Sequence, residues 1–180
     1  MLAKIPLPIR LPLIVMLIVL NTVVLVSTLL LASLLKWLVP LAGFNRLCER
    51  FILFLAEAWI SNNSWMMRNC TTSQVNYAED AQLDRQGHYL VLSNHQSWVD
   101  IIVLQAVFNR RIPFMRFFLK QQLIWVPLLG LAWRALDFPF MKRHSKSQIQ
   151  KRPELAGQDI AATRKACEKF LGKPVSIMIF

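Results

Sequence analysis

The chain has 180 residues, enough for one domain of ordinary size, and 55% of them are hydrophobic. Soluble globular proteins contain about 45–50% apolar residues, so the composition is unusual for an ordinary soluble enzyme. The formal net charge is +11. A basic and polar chain would suggest nucleic-acid binding, whereas a chain that is both basic and apolar favours an anionic membrane surface.

The first predicted element is a membrane helix. Residues 11 to 35 carry no charged side chain, and about 20 consecutive apolar residues span the hydrocarbon core of a bilayer. A secretory signal peptide has a shorter apolar core of about 7–15 residues. We therefore expect a retained helix over about 11–38 that holds the chain in a membrane.

A second helical stretch covers about 44–60 and is rich in Phe, Leu and Trp. Four charged residues interrupt it: Arg46, Glu49, Arg50 and Glu57. This mixture is typical of a helix that lies at a membrane interface. The two helices predict an anchor over residues 1–60, for which a hairpin on one leaflet is one arrangement. The polar segment 61–87 is expected to be a connector.

The pattern changes at residue 88. Three short apolar runs, "HYLVLSNH", "IPFMRFF" and "VSIMIF", predict strands. "WVDIIVLQAVF" and "DIAATRKACEKFL" predict helices, with Asp159 as the cap of the second. Residues 119–135 contain Pro127 and Gly130, so any helix there is predicted to be broken. Residues 142–158 are predicted to form a polar loop. The fold class predicted for 88–180 is therefore α/β, the first part of a sheet domain.

Most of the positive charge lies in one segment. Residues 110 to 152 contain ten Lys or Arg and a single acidic residue, Asp137. Aromatic side chains alternate with these charges, as they do in single-strand nucleic-acid grooves. The residues between them are Leu, Ile, Val and Met, which suit a buried or lipid-facing surface. We therefore expect no nucleic-acid partner.

The cysteines indicate no special chemistry. Cys48, Cys70 and Cys167 are odd in number and widely spaced, with no Cys-x-x-Cys pair. We expect neither a disulfide framework nor a zinc site, and no other metal.

The segment "LVLSNHQSWVD", residues 90 to 100, places a histidine and an aspartate between a predicted strand and a predicted helix. Ser97 begins Ser-Trp-Val-Asp, the spacing of a capping box, which predicts that the helix starts at Ser97. Within one helix, residues five apart point about 140° away from each other. His95 can therefore reach Asp100 only if it lies on the loop before the helix, where the capping box leaves it.

A His-Asp pair at this position would supply a general base. Imidazole accepts protons near neutral pH, and the positive end of a helix disfavours its charged form. The carboxylate would fix the ring tautomer and stabilise the imidazolium once it forms. From the residues alone two other interpretations stay open. Asp100 could serve only as the capping-box carboxylate, and His95 only as a hydrogen-bonded loop residue.

Two segments resemble a known family. "NHQSWVD" resembles the Asn-His-x4-Asp signature of the glycerolipid acyltransferases, the 1-acylglycerol-3-phosphate (lysophosphatidic acid) acyltransferase family. "LKQQLIWVPLLGLAWRALDFPFMKR" resembles the family's next blocks: Lys-x-Glu-Leu, an apolar run with Pro-x-x-Gly, and a block that ends in Arg. The resemblance covers about 88–180. The membrane-anchoring N-terminus that precedes this segment is also of the kind that the family carries.

The resemblance implies a reaction. His95 would take the proton from the free hydroxyl of a lysophospholipid, and that oxygen would attack an acyl thioester of coenzyme A or acyl carrier protein. Asp100 would orient His95, and Lys120 and Arg143 would bind the acceptor phosphate. No metal or bound cofactor is implied. The expected partners are these substrates and membrane lipids, at the inner membrane if the source is bacterial, with the site facing the cytoplasm where the donors are.

The sequence departs from the family pattern at three places. Gln stands where the family has Glu in "LKQQL", and "FPFMKR" lacks an acid before its arginine. The family follows a strand like "VSIMIF" with Glu-Gly-Thr-Arg, whose arginine serves the phosphate, whereas this chain ends at Phe180. We therefore expect a sheet domain that is incomplete at the C-terminus. The alternative function is a non-catalytic, membrane-bound remnant of such an enzyme.

Overall fold

The computed structural model describes residues 5–71, 75–77, 82–141, 150, 164, 167–168, 170 and 172–179. The helices are α1 (Leu7–Leu38), α2 (Ala42–Cys70), α3 (Trp98–Phe108) and α4 (Leu129–Ala135), with a 3-10 helix at Gln121–Trp125. The strands are β1 (His88–Leu92), β2 (Met115–Phe117), β3 (Leu119–Lys120), β4 (Phe140–Met141) and β5 (Val175–Ile179). Most of the predicted loop 142–158 and most of the predicted helix from Asp159 lie outside the described residues. Gln150 of that loop is helical, as are Arg164, Cys167 and Glu168.

Helix α1 confirms the predicted apolar helix, and its length and composition are sufficient to cross a membrane. It begins at Leu7, a few residues earlier than expected. Pro8 does not prevent this early start, because a proline in the first turn removes an N–H group that has no helical partner. The helix ends at Leu38, two residues before Pro40.

The second helix was predicted to end near residue 60, and that boundary was wrong, because α2 continues to Cys70. Two serines beyond residue 60 form hydrogen bonds to the backbone of α2 itself. Ser61 Oγ donates to the Glu57 carbonyl, and Ser64 Oγ donates to the Ile60 carbonyl, each at 2.8 Å. Such bonds to the carbonyl one turn earlier allow serine inside a helix, so polarity alone did not mark a connector.

Asparagine side chains join α1 to α2. Asn21 of α1 donates to Asn63 Oδ1 at 3.0 Å and accepts from Asn62 Nδ2 at 2.8 Å. Trp59 Nε1 donates to Thr22 Oγ1 at 3.0 Å. Later in α1, Lys36 pairs with Glu49, which lies earlier in α2. Since successive contacts advance along α1 and go back along α2, the two helices form an antiparallel hairpin.

The main sheet has three parallel strands in the order β1-β5-β2. Strand β5 is central, with His88 opposite Val175 on one side and Met115 opposite Ser176 on the other. A second, two-stranded parallel sheet pairs β3 with β4. The three strands predicted from the sequence are therefore confirmed, as is the α/β class.

One face of the main sheet carries the core. The register places Val91, Met178 and Phe117 side by side on this face. Residues from α1, α2, α3 and α4 belong to the same cluster or pack against it, including Leu29 of α1 and Ala56 of α2. These helices therefore lie on one side of the sheet.

A buried carboxylate ties α2 to the sheet domain. Glu57 Oε1 lies 2.6 Å from Arg85 Nη2, and its Oε2 lies 3.5 Å from Arg110 Nε. Asn109, just after α3, donates to Ser61 Oγ and to the Glu57 carbonyl. The predicted anchor and the α/β domain thus share polar contacts in addition to the apolar core.

Gly130 is expected to tolerate no side chain. A Cβ atom built there would overlap the backbone carbonyl of Ile124 in the preceding 3-10 helix. We expect Gly130→Ala to lower the free energy of unfolding by about 1–3 kcal/mol, the usual cost of overpacking. Thermal unfolding in detergent, followed by circular dichroism, measures the loss. Gly43→Ala is the matched control, because a Cβ atom there meets nothing within 4 Å, and an equal loss in both variants would contradict the argument.

Candidate active site

The candidate site lies where β1 ends and α3 begins. The Ser93 N–H donates to the Ile179 carbonyl at 3.3 Å, which extends the pairing of β1 with β5 by one residue. His95 follows on the short segment between β1 and α3. The site therefore occupies the carboxyl end of parallel strands, the position at which α/β sheets usually bind their ligands.

The capping box predicted from Ser-Trp-Val-Asp is present. Ser97 is the N-cap of α3, and its Oγ accepts from the Val99 N–H at 3.1 Å. In return, Asp100 Oδ2 accepts from the Ser97 N–H at 2.8 Å and from the Gln96 N–H at 2.6 Å. These bonds satisfy backbone donors that the first turn of a helix leaves without partners.

The same carboxylate oxygen faces the histidine. His95 Nδ1 lies 3.3 Å from Asp100 Oδ2, as the predicted helix start requires. A carboxylate on Nδ1 favours the tautomer with its proton on that nitrogen, so that Nε2 becomes the ring nitrogen that can accept a proton. The same oxygen of Asp100 thus accepts the hydrogen bonds of the cap and lies against the imidazole.

The pKa of the Asp100 carboxyl is lowered from its usual value of 3.8. The main causes are the hydrogen bonds from the Ser97 and Gln96 backbone, and His95 lowers the pKa further, while burial opposes these effects. The carboxylate is therefore charged at every pH near neutrality. It is available to stabilise a positive charge on His95.

The pair lies on an open surface. The side chains of His95 and Asp100 are 39% and 29% exposed. A polar cavity of about 470 Å³ lies instead near the amino ends of the strands and includes Arg85 and Lys173. An apolar cavity of about 50 Å³ lies between α1, α2 and α4. Among the residues that the structure describes, neither cavity is lined by the pair.

Of the two predicted phosphate ligands, the structure describes Lys120 and does not describe Arg143. Lys120 is exposed and is the last residue of β3, shortly after the carboxyl end of β2. It pairs in register with Met141 at the end of β4. Arg143 lies outside the described residues. Lys120 thus follows the carboxyl end of β2, as His95 follows that of β1, with β5 between these two strands.

Arg116 shows a role that the basic segment did not reveal. Its guanidinium lies 5.5 Å from the ring of Phe114 and 5.0 Å from that of Phe170. Its Nε donates to the Leu136 carbonyl at 2.8 Å. Burial lowers the pKa of Arg116, and Asp137 opposes this shift. In the sequence, the only sign that Arg116 could be buried was its position inside a predicted strand, whose residues point alternately to opposite faces of a sheet.

The described part of the chain also shows how its potential metal-binding side chains are arranged. No three His, Cys, Asp or Glu side chains there lie close enough together to hold a metal ion.

The comparison with protein families decides the classification. A family model described as Acyltransferase matches residues 74–180, more than half of the chain. The chain belongs to the acyltransferase family. The match includes β1, the His95–Asp100 pair and every later element of this acyltransferase.

A solved structure has the same fold. The 1-acyl-sn-glycerophosphate (LPA) acyltransferase PlsC from Thermotoga maritima superposes with a TM-score of 0.60 and is 18% identical in sequence. The match covers 94% of this acyltransferase and 60% of the Thermotoga maritima chain. The likeness therefore includes the helical hairpin as well as the sheet. A search of curated protein sequences gives no significant match.

The lowered pKa of Asp100 predicts a dependence of stability on pH. Its pKa in the folded state lies below the unfolded value, so the carboxylate stabilises the fold above about pH 4 and loses that effect as the pH falls further. We expect the parent to unfold at a higher temperature than Asp100→Asn near neutral pH, and this difference to shrink in acid. Thermal unfolding in detergent between neutral pH and pH 3 measures both.

The control for this experiment is Glu168→Gln. Glu168 is a partner of Arg164 in an exposed ion pair on one helical turn. A difference of the same size and the same pH dependence in this variant would attribute the effect to general charge instead of the capping box.

Proposed function

We propose that this acyltransferase moves a fatty acyl group from an acyl thioester to the free hydroxyl of a lysophospholipid, with 1-acylglycerol-3-phosphate as the favoured acceptor. The observation that carries the proposal is the 3.3 Å contact between His95 Nδ1 and Asp100 Oδ2, at the carboxyl end of β1. Family membership supports acyl transfer as the reaction class. The fold shared with a lysophosphatidic acid acyltransferase supports the choice of acceptor.

The proposed chemistry needs one base and no nucleophile from the protein. Nε2 of His95 takes the proton of the acceptor hydroxyl while the oxygen attacks the thioester carbonyl carbon. The tetrahedral intermediate then expels the thiolate as the carbon–sulfur bond breaks. The imidazolium returns its proton to the departing sulfur, so the histidine ends neutral. Asp100 stabilises the imidazolium between these two steps.

The proposed site of action is a membrane, with α1 as the anchor. Leu11, Val15 and Leu20 are among the many apolar side chains that α1 exposes, and lipid tails would cover them at no cost in hydrogen bonding. The acceptor is itself a membrane lipid. We place the site on the cytoplasmic side, because coenzyme A and acyl carrier protein thioesters are found there.

Lys120 and Arg143 are proposed to bind the acceptor phosphate. Lys120 is an exposed cation at the carboxyl edge of the sheets. A lysine there can supply a point charge and up to three hydrogen bonds to phosphate oxygens. The assignment of Arg143 rests on the family resemblance alone.

His95→Ala is expected to lower kcat for acyl transfer by about 100- to 10,000-fold, the usual contribution of a general base. Transfer of a radiolabelled acyl group from acyl-CoA to lysophosphatidic acid, in membranes that contain the chain, measures this loss. His88→Ala is the matched control, because His88 is exposed at the opposite, amino end of β1. Undiminished transfer by His95→Ala would refute the proposed base.

The same assay includes the chain extended through the expected Glu-Gly-Thr-Arg strand end. Transfer by the extended protein alone would mean that the acceptor phosphate needs that additional arginine. If neither protein transfers an acyl group to any lysophospholipid, the alternative of a non-catalytic, membrane-bound remnant replaces the proposal.

Lys120→Ala is expected to raise KM for lysophosphatidic acid by about tenfold with little change in kcat, since the lost interaction is a charged hydrogen bond of about 1.5 kcal/mol made in both ground and transition states. Lys120→Arg should retain most of the affinity. Lys173→Ala is the control, because Lys173 is exposed before the amino end of β5. A larger fall in kcat than rise in KM would exclude a role in substrate binding alone.

A further inference from the structure

Helix α3 is almost entirely apolar, yet none of its residues is fully buried. Trp98 is 70% exposed, Val99 is 57% exposed and Ile102 is 43% exposed. These three side chains lie on one face of the helix, because residues three and four apart are neighbours on a helical surface. We call Trp98, Val99 and Ile102 the outer stripe of α3.

The outer stripe points away from the sheet. Ile101, Leu104 and Phe108 of the same helix pack against the core cluster. At about 100° per residue, Val99 and Ile102 are turned away from all three of them, and Trp98 lies on the flank of the helix. Both α3 and the apolar helix α1 contribute to this cluster, so the stripe is exposed on the same side of the sheet as the proposed membrane anchor.

A second exposed aromatic residue follows a strand of the smaller sheet. Trp125, at the end of the 3-10 helix, is 85% exposed. This helix follows directly from β3, and the stripe begins three residues after His95, so both follow the carboxyl ends of parallel strands. Exposed cations accompany Trp125 in the sequence, namely Lys120 and Arg134.

We propose that the outer stripe of α3 and Trp125 form a second membrane contact that lies in the head-group region of an anionic bilayer. Tryptophan prefers this region because its ring is apolar and its N–H is polar, and nearby lysine and arginine are attracted to anionic lipids. The contact would place the open His95–Asp100 pair against the layer in which a lysolipid resides. The inference rests on the proposed membrane location of α1 and is independent of acyl transfer.

The test uses the full chain with one tryptophan at a time, reconstituted in vesicles of phosphatidylcholine and phosphatidylglycerol that carry bromine at defined depths of the acyl chains. The other tryptophans are replaced by Phe. We expect Trp98 and Trp125 to be quenched more by bromine near the head group than by bromine near the chain end. Trp133, which packs against the core, is the protected control, and Leu20→Trp on the exposed surface of α1 is the deep control.

The outcomes separate this inference from the membrane proposal. Quenching of Leu20→Trp without quenching of Trp98 and Trp125 would overturn the second contact and leave the anchor in place. Quenching at none of the positions would overturn both. Protection of Trp98 from bromine and also from aqueous iodide would mean that protein covers the stripe, which likewise overturns the inference.

A second measurement does not require five tryptophans to be replaced at once. In the otherwise native chain, Trp98→Phe should remove part of the fluorescence that shallow bromine quenches, whereas Trp133→Phe should leave that part unchanged. Equal effects of the two substitutions would contradict the proposed contact.

Discussion

The carboxylate of Asp100 links the fold to its candidate chemistry. One oxygen accepts two backbone N–H groups at the start of α3 and also faces His95. The backbone bonds keep the carboxyl charged and fix its position. That position in turn determines where the histidine ring is held and which nitrogen is left for a substrate. A structural cap and the partner of a proposed base are thus the same group, which explains why local spacing alone could not choose between them.

The second constraint is the packing of the helices on one side of the sheet. It joins α1 and α2 to the α/β domain through the apolar core and through Glu57, which contacts Arg85 and Arg110. A buried carboxylate with two arginine partners avoids the cost of an unpaired charge. Because the hairpin and the sheet share this interface, the orientation of α1 in a membrane would also orient the edge that carries His95.

Local sequence rules predicted much of this architecture. Apolar runs located β1, β2 and β5, and the capping box at Ser97 gave the start of α3 and the contact between His95 and Asp100. The same rules failed for the end of α2, where Asn62 and Asn63 looked like connector residues but bind Asn21 of the neighbouring helix. Local patterns also did not single out Arg116 among the ten basic residues of 110–152, although its guanidinium lies against the rings of Phe114 and Phe170. Both failures involve a partner that is distant in sequence, Asn21 in the first case and Phe170 in the second, and local patterns do not encode such contacts.

The strand order has a consequence for how the chain folds during synthesis. Among the described strands, β1 and β2 are joined through β5, and more than 80 residues separate Leu92 from Val175. At about 5–20 residues per second, β5 leaves the ribosome roughly 4–16 seconds after β1. The α1–α2 hairpin needs no such delay, since its two helices are adjacent in sequence. β1 must therefore wait with an unpaired edge, and a hairpin already inserted in a bilayer would hold that edge away from other nascent chains.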